Sequence, residues 1–129
     1  MEKQHIEIHR GDILYADLAG ATGSEQDGIR PVLVLQNDVG NRYSPTVIVV
    51  PITGKKKRLD LPTHVNLSSR FGLHHESMVM LEQIRAIDKS RISRFVGTVD
   101  TSTMKQVEVA LEISLGQRPV PQRGGDVLD

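Results

Sequence analysis

The sequence predicts a mainly β protein with a single C-terminal helix, folded as a small closed or half-closed barrel. Short apolar runs alternate with turn signals over most of the chain, which is the pattern of a small barrel. Val32-Leu33-Val34-Leu35, Val47-Ile48-Val49-Val50 and Met78-Val79-Met80-Leu81 are apolar at every position. Side chains alternate between the faces of a strand, so such runs need cover on both sides. Apolar residues recur at helical spacing only near the C-terminus. One helix of 15 residues cannot cover the outside of three strands, and a homodimer burying at least one outer face is therefore expected.

The first strand is Ile13 to Ala16, following the Arg10-Gly11-Asp12 turn signal. Residues 18–30 are rich in glycine and small polar residues without periodicity and read as a long functional loop. The second strand spans 31–36, with Pro31 at its first position, where a missing N–H does least harm. Residues 37–45 read as a turn-rich connection, and 47–53 as a third strand in which Pro51 marks a sheet edge or a bend. A basic loop follows over 54–60, then short strands over 63–67 and 77–84. A helical turn at 89–92 leads into a sixth strand at 94–100. The helix runs from Thr101 to Leu115, with Met104, Val107, Leu111 and Leu115 on its apolar face, N-cap candidates at Asp100, Thr101 and Ser102, and Gly116 as its stop. Residues 1–9 form an N-terminal extension, and 117–129 read as a disordered or loosely attached tail.

A chain of 129 residues is one domain by size and buries a core without covalent staples. It has no cysteine, so disulfides and thiolate metal sites are excluded. Residues 1–10 are polar, and no apolar run approaches the roughly 20 residues that cross a bilayer, so a cytoplasmic protein without membrane contact is expected. The 16 basic and 16 acidic residues cancel, which argues against a general duplex-DNA coat. Local basic stretches at Lys55-Lys56-Lys57-Arg58 and at Arg85, Lys89, Arg91 and Arg94 suit a short polyanion better. The four aromatics, Tyr15, Tyr43, Phe71 and Phe95, are too few for an extended base-stacking platform.

Seven short blocks follow one another along the chain: Arg10-Gly11-Asp12-Ile13, Gly23-Ser24-Glu25-Gln26, Gly28-Ile29-Arg30-Pro31-Val32-Leu33-Val34, Gln36-Asn37-Asp38, Pro51-Ile52-Thr53, Leu61-Pro62-Thr63-His64-Val65 and Leu81-Glu82-Gln83-Ile84-Arg85. In this order they resemble the MazF/PemK family of toxins. Each is weak alone, and their common order is the strong signal. The likeness covers about residues 10–116 and is closest to the branch found in Gram-positive bacteria. It implies an SH3-like barrel dimer of the MazF/PemK/CcdB type. It also implies a type II toxin, a sequence-specific endoribonuclease acting on single-stranded messenger RNA and held inactive by a MazE-like antitoxin.

Such cleavage needs neither metal nor cofactor. The substrate's 2′-hydroxyl attacks the adjacent phosphate, leaving a 2′,3′-cyclic phosphate and a 5′-hydroxyl. The protein must assist loss of the 2′ proton, hold charge on the phosphate and protonate the leaving oxygen. The resemblance makes Arg30 and Thr53 the catalytic pair. Arginine's planar fork suits two phosphate oxygens, and a strand-end threonine hydroxyl donates to a third. Alone, Arg30 would read as a surface ion-pair residue and Thr53 as a good strand former. Arginine's pKa exceeds 12, which leaves the general base unassigned, with Glu25 and His64 as the alternatives. By the same resemblance Ser24, Glu25, Asn37, Leu61, Gln83 and Arg85 belong to the RNA-reading surface. Lys55 and its basic neighbours are candidates for backbone phosphates, although this run departs from the family pattern. His64 is read as either a structural histidine or an RNA contact.

His74-His75-Glu76 invites a metal reading. Adjacent histidines on a strand or turn point apart, and no third ligand is near in sequence, so no metal site is expected. A gyrase poison of the CcdB kind would share the fold without the chemistry, but that family acts through a C-terminal Trp-Gly-Ile ending, and this chain has no tryptophan. A catalytically inactive relative of the MazF kind is the other alternative. A peptide-binding SH3-like adaptor would need clustered aromatics, and the four here are scattered.

Overall fold

The computed structural model describes residues 6–20, 23, 28–54 and 61–121. The order is β1 (Asp12–Asp17), β2 (Ile29–Val34), α1 (Asp38–Tyr43), β3 (Thr46–Thr53), β4 (His64–Leu67), β5 (Ser77–Met80), β6 (Arg85–Asp88), β7 (Ile92–Thr98) and α2 (Thr101–Ser114). Short 3-10 turns lie at Ser69–Phe71, Leu81–Gln83 and Lys89–Arg91. The strands join antiparallel in the order β4-β5-β3-β2-β1-β7, with β6 also paired to β3.

β3 organises the sheet. One edge meets β2 over Val49–Pro51. The other meets β6 over Thr46–Val49 and β5 over Ile52–Thr53. That second ladder changes strand at Pro51, the position without an N–H to donate, as its place in the sequence suggests. β5, the Leu81–Gln83 turn and β6 thus form one interrupted strand along β3, where the sequence reading had a single strand over 77–84.

The connection expected at 37–45 is a helix. Asn37 caps α1, its Oδ1 accepting from Gly40 N at 2.8 Å. Beneath it, the buried Gln36 and Asn41 side chains join a small network: Asn41 Nδ2 donates to the Gln36 backbone carbonyl at 2.8 Å, and Gln36 Nε2 donates to the Thr46 backbone carbonyl at 3.0 Å and to Asn41 Oδ1 at 3.3 Å. The Arg10-Gly11-Asp12 signal is a true turn, with Gly11 at φ 92°. Arg10 reaches Glu108 on α2 at 3.0 Å, and its N–H donates to the Asp38 carboxylate at 2.7 Å. Asp12, buried, accepts from His9 N and Thr98 Oγ1.

Most of the apolar strand residues are covered on both faces within one chain, while Ile48 in β3 stays exposed. Ile13, Leu33, Val50, Ile52, Val65 and Val79 face α2 through Met104, Val107 and Ala110. On the other face Leu14, Ala16, Val32, Val34, Val47 and Val49 close around Ile87 and Ile92, capped by Ile8 from the N-terminal segment. The sequence argument assigned this second cover to a partner chain; the curl of the sheet supplies it instead. α2 packs the expected face through Met104 and Val107 with Leu111 partly buried against them, and Ala110 beside that face is buried too; Ile113 is also buried, and only Leu115 of the expected residues is exposed. No helix among the described residues is long and apolar enough to cross a membrane.

Candidate catalytic and RNA-contact site

Arg30 and Thr53 lie at the neighbouring ends of two paired strands. The β2–β3 ladder runs from Val34–Val49 to Val32–Pro51, and each residue lies two positions beyond that last pair on its own strand. Residues two apart on a strand share one face. Arg30 opposes Ala16 of β1, and Thr53 opposes Met78 of β5. Thr53 is buried and Arg30 half-buried.

Gln83 and Arg85 lie along the other edge of β3, Arg85 at a register position four residues before Thr53. Gln83 ends the 3-10 turn that bridges β5 and β6, and Arg85 opposes Val49. β3 therefore carries Thr53 itself, with Arg30 on one flank and Gln83 and Arg85 on the other. Leu61 lies just before β4, where its carbonyl accepts from His64 N at 3.0 Å.

Two expected contacts fall elsewhere. Asn37 lies beyond the far end of β2 from Arg30, and its Oδ1 is committed to capping α1. His64 has its ring only 4% exposed, with Nε2 at 2.9 Å from Glu82 Oε2. Glu82's other oxygen accepts from Thr63 Oγ1 at 2.9 Å. Partial burial works to raise the Glu82 pKa, but the bonds from His64, its own backbone and Thr63 outweigh it and hold the carboxyl below its ordinary value. Sequence reasoning missed Glu82 as a structural partner, because residues 18 apart and on different elements leave no local spacing signal. Ser24, Glu25 and Lys55 lie outside the described residues, as do the other members of the basic run.

The His74 and His75 ring centroids are 6.3 Å apart and tilted by 53°. Among the described residues no three histidine, aspartate or glutamate side chains gather in a metal-holding group. The strand-end group is instead suited to an anion: a guanidinium and a hydroxyl on one face, with an amide and a second guanidinium along the other edge of β3.

A small antiparallel barrel with a polar, cationic strand-end site defines the class to which comparison with known proteins adds a family. Residues 9–115 match the family described as PemK-like, MazF-like toxin of type II toxin-antitoxin system. Endoribonuclease EndoA of Bacillus subtilis is 50% identical over 109 residues, covering 84% of this chain and 94% of that protein. Endoribonuclease MazF of Staphylococcus saprophyticus is 48% identical over 110 residues, covering 84% and 92%. Among solved structures, a mycobacterial endoribonuclease in complex with its cognate antitoxin superposes with a TM-score of 0.73 at 26% identity, covering 88% of this chain and 99% of that one. MazF of Deinococcus radiodurans superposes at 0.76 and 24% identity, covering 87% and 99%, a likeness of fold. The chain belongs to the PemK-like, MazF-like family of type II toxins.

Proposed function

We propose that this endoribonuclease toxin cuts single-stranded RNA at a short sequence without a metal, using the substrate's own 2′-hydroxyl as nucleophile. The observation that supports the reading is the β2–β3 register: Arg30 and Thr53 each lie two residues beyond the Val32–Pro51 pair that ends the ladder. Arg30 binds two oxygens of the scissile phosphate through its fork, and the Thr53 hydroxyl donates to the same group as charge builds on it. The products are a 2′,3′-cyclic phosphate and a 5′-hydroxyl. The group that takes the 2′ proton is unassigned. Gln83 offers an amide to unstacked base edges, Arg85 a cation, and Leu61 an apolar contact; Ser24, Glu25 and Lys55 complete the candidate surface.

The catalytic unit is residues 10–116, acting in the cytoplasm as a homodimer. Apolar side chains left open by the fold, such as Val39 and Tyr43 on α1 and Val109 and Leu115 on α2, are available for that contact. Light scattering at micromolar concentration should return twice the chain mass, and a monomer there would remove the dimer from the reading. A MazE-like antitoxin inhibits by laying a segment across the Arg30–Thr53 face.

Purified protein with EDTA should cut a long synthetic RNA at discrete sites bearing 5′-hydroxyl ends and leave the matching DNA intact. Arg30→Ala should lower the rate by about 10²–10³, the usual loss of one preorganised transition-state donor. Intact RNA with the folded wild-type protein would overturn the endoribonuclease reading; full activity in a folded Arg30→Ala protein would take Arg30 out of the site.

A further inference from the structure

We propose that Glu82 is a positioning residue for RNA recognition, acting by locking the start of β4 to the 3-10 turn that carries Gln83. The inference rests on the endoribonuclease reading above. One carboxylate oxygen accepts from Thr63 Oγ1 and the other meets His64 Nε2, each at 2.9 Å. Glu82 thereby ties two successive residues beside the Leu61 turn to the residue immediately before Gln83. The backbone supports the same junction, with Leu81 N donating to the Thr63 carbonyl at 2.8 Å.

Leu61 and Gln83 come from segments distant in sequence, and beyond the end of the β4–β5 ladder this cross-link is what joins their side-chain surroundings. Groups that read bases must be held by neighbours whose own rotamers are fixed. The enclosed His64 ring serves as Glu82's partner rather than as a base contact, and about half of Glu82's own side chain is covered. Arg30 and Thr53 are held by other strands, so loss of the lock disturbs recognition and leaves the chemical step in place.

The test compares wild type, Glu82→Ala, Glu82→Gln and Thr63→Val on one long RNA with end mapping. Rates at saturating and limiting RNA are measured on the best site, and thermal denaturation confirms folding. In Glu82→Ala, KM should rise about tenfold and cleavage should spread to sites that wild type ignores, with the saturating rate held within a few-fold. Glu82→Gln keeps a hydrogen-bonding group for each partner and should restore most of the wild-type site preference. Thr63→Val, which removes one of the two bonds, should lie between, and it decides the matter if Glu82→Ala fails to fold. The same cut sites with unchanged KM in the folded variants, or a fall in saturating rate equal to the rise in KM, would overturn the inference while wild-type cutting stands. Wild-type protein that leaves RNA intact would overturn the endoribonuclease reading, and this inference with it.

Discussion

At the scale of single residues, the proposed chemistry separates a cation that binds the phosphate from a hydroxyl that donates to it. Thr53→Val tests the second alone, because valine keeps the β-branched shape on a buried strand position and removes only the donor. Its cleavage rate should fall by about 10²–10³ at unchanged fold. If Arg30 and Thr53 act on one phosphate as a unit, the double variant Arg30→Ala/Thr53→Val should be far less impaired than the product of the single losses. A fully multiplicative loss in single-turnover assays would mean that the two act on separate steps. Both residues were legible in the sequence only through the order of family blocks, since physics alone favoured a surface arginine and an ordinary strand threonine. For His64 the sequence already favours a structural histidine over an RNA contact, and the Glu82 contact at 2.9 Å is the partner such a role needs.

At the scale of elements, α2 was the most legible part, because cap and apolar spacing agree. Asp100 occupies the N-cap, its Oδ1 accepting from Thr103 N at 2.8 Å, and its other oxygen pairs with Arg70. Thr103's hydroxyl and amide, then Arg70, pull its pKa from 3.8 down to about 2. A carboxylate with a pKa lowered by folding stabilises the fold above its unfolded value and loses that contribution as pH falls towards the folded one. Thermal stability should therefore drop between about pH 4 and pH 2, and Asp100→Asn, which keeps a cap oxygen but cannot titrate, should show a shallower drop. Parallel melting curves across that range check this; equal slopes would show that the Asp100 charge adds nothing. α1 was not legible, because Gly40 and the polar Asn41 and Arg42 mask it. What holds that helix is the tertiary Gln36–Asn41–Thr46 network, which no spacing rule in the sequence encodes. In α2 the expected face holds through Met104, Val107 and Leu111, and only its last residue, Leu115, ends exposed at the C-cap.

At the scale of the whole molecule, the sequence correctly demanded cover on both faces of the central strands but could not say which chain provides it. Alternation reports that a face is buried, whereas the curl of a sheet is set by where its strands change partners, as β3 does at Pro51. Part of the fold depends on a backbone crossing that composition does not reveal. The Ser69–Phe71 turn passes directly over β7, and a Cβ built on Gly97 would lie 1.9 Å from the Phe71 carbonyl oxygen. Gly72, at φ 102°, faces the Val96 carbonyl with only 2.7 Å to spare for a Cβ. Each glycine thus admits the other strand's backbone, and neither carbonyl is a flexible side-chain end that swings aside. Gly97→Ala must push the Ser69–Phe71 turn off β7, loosening the cover over Phe71 and Val96. Forced overpacking of this kind costs about 1–3 kcal/mol, and backbone on backbone belongs at the upper end. Urea denaturation should show the midpoint lowered with an unchanged slope, the signature of a less stable but similarly compact fold. Because Arg30 and Thr53 are held by β2 and β3, the folded fraction should cut RNA at the wild-type rate; a midpoint equal to wild type would mean that the crossing has room the geometry denies.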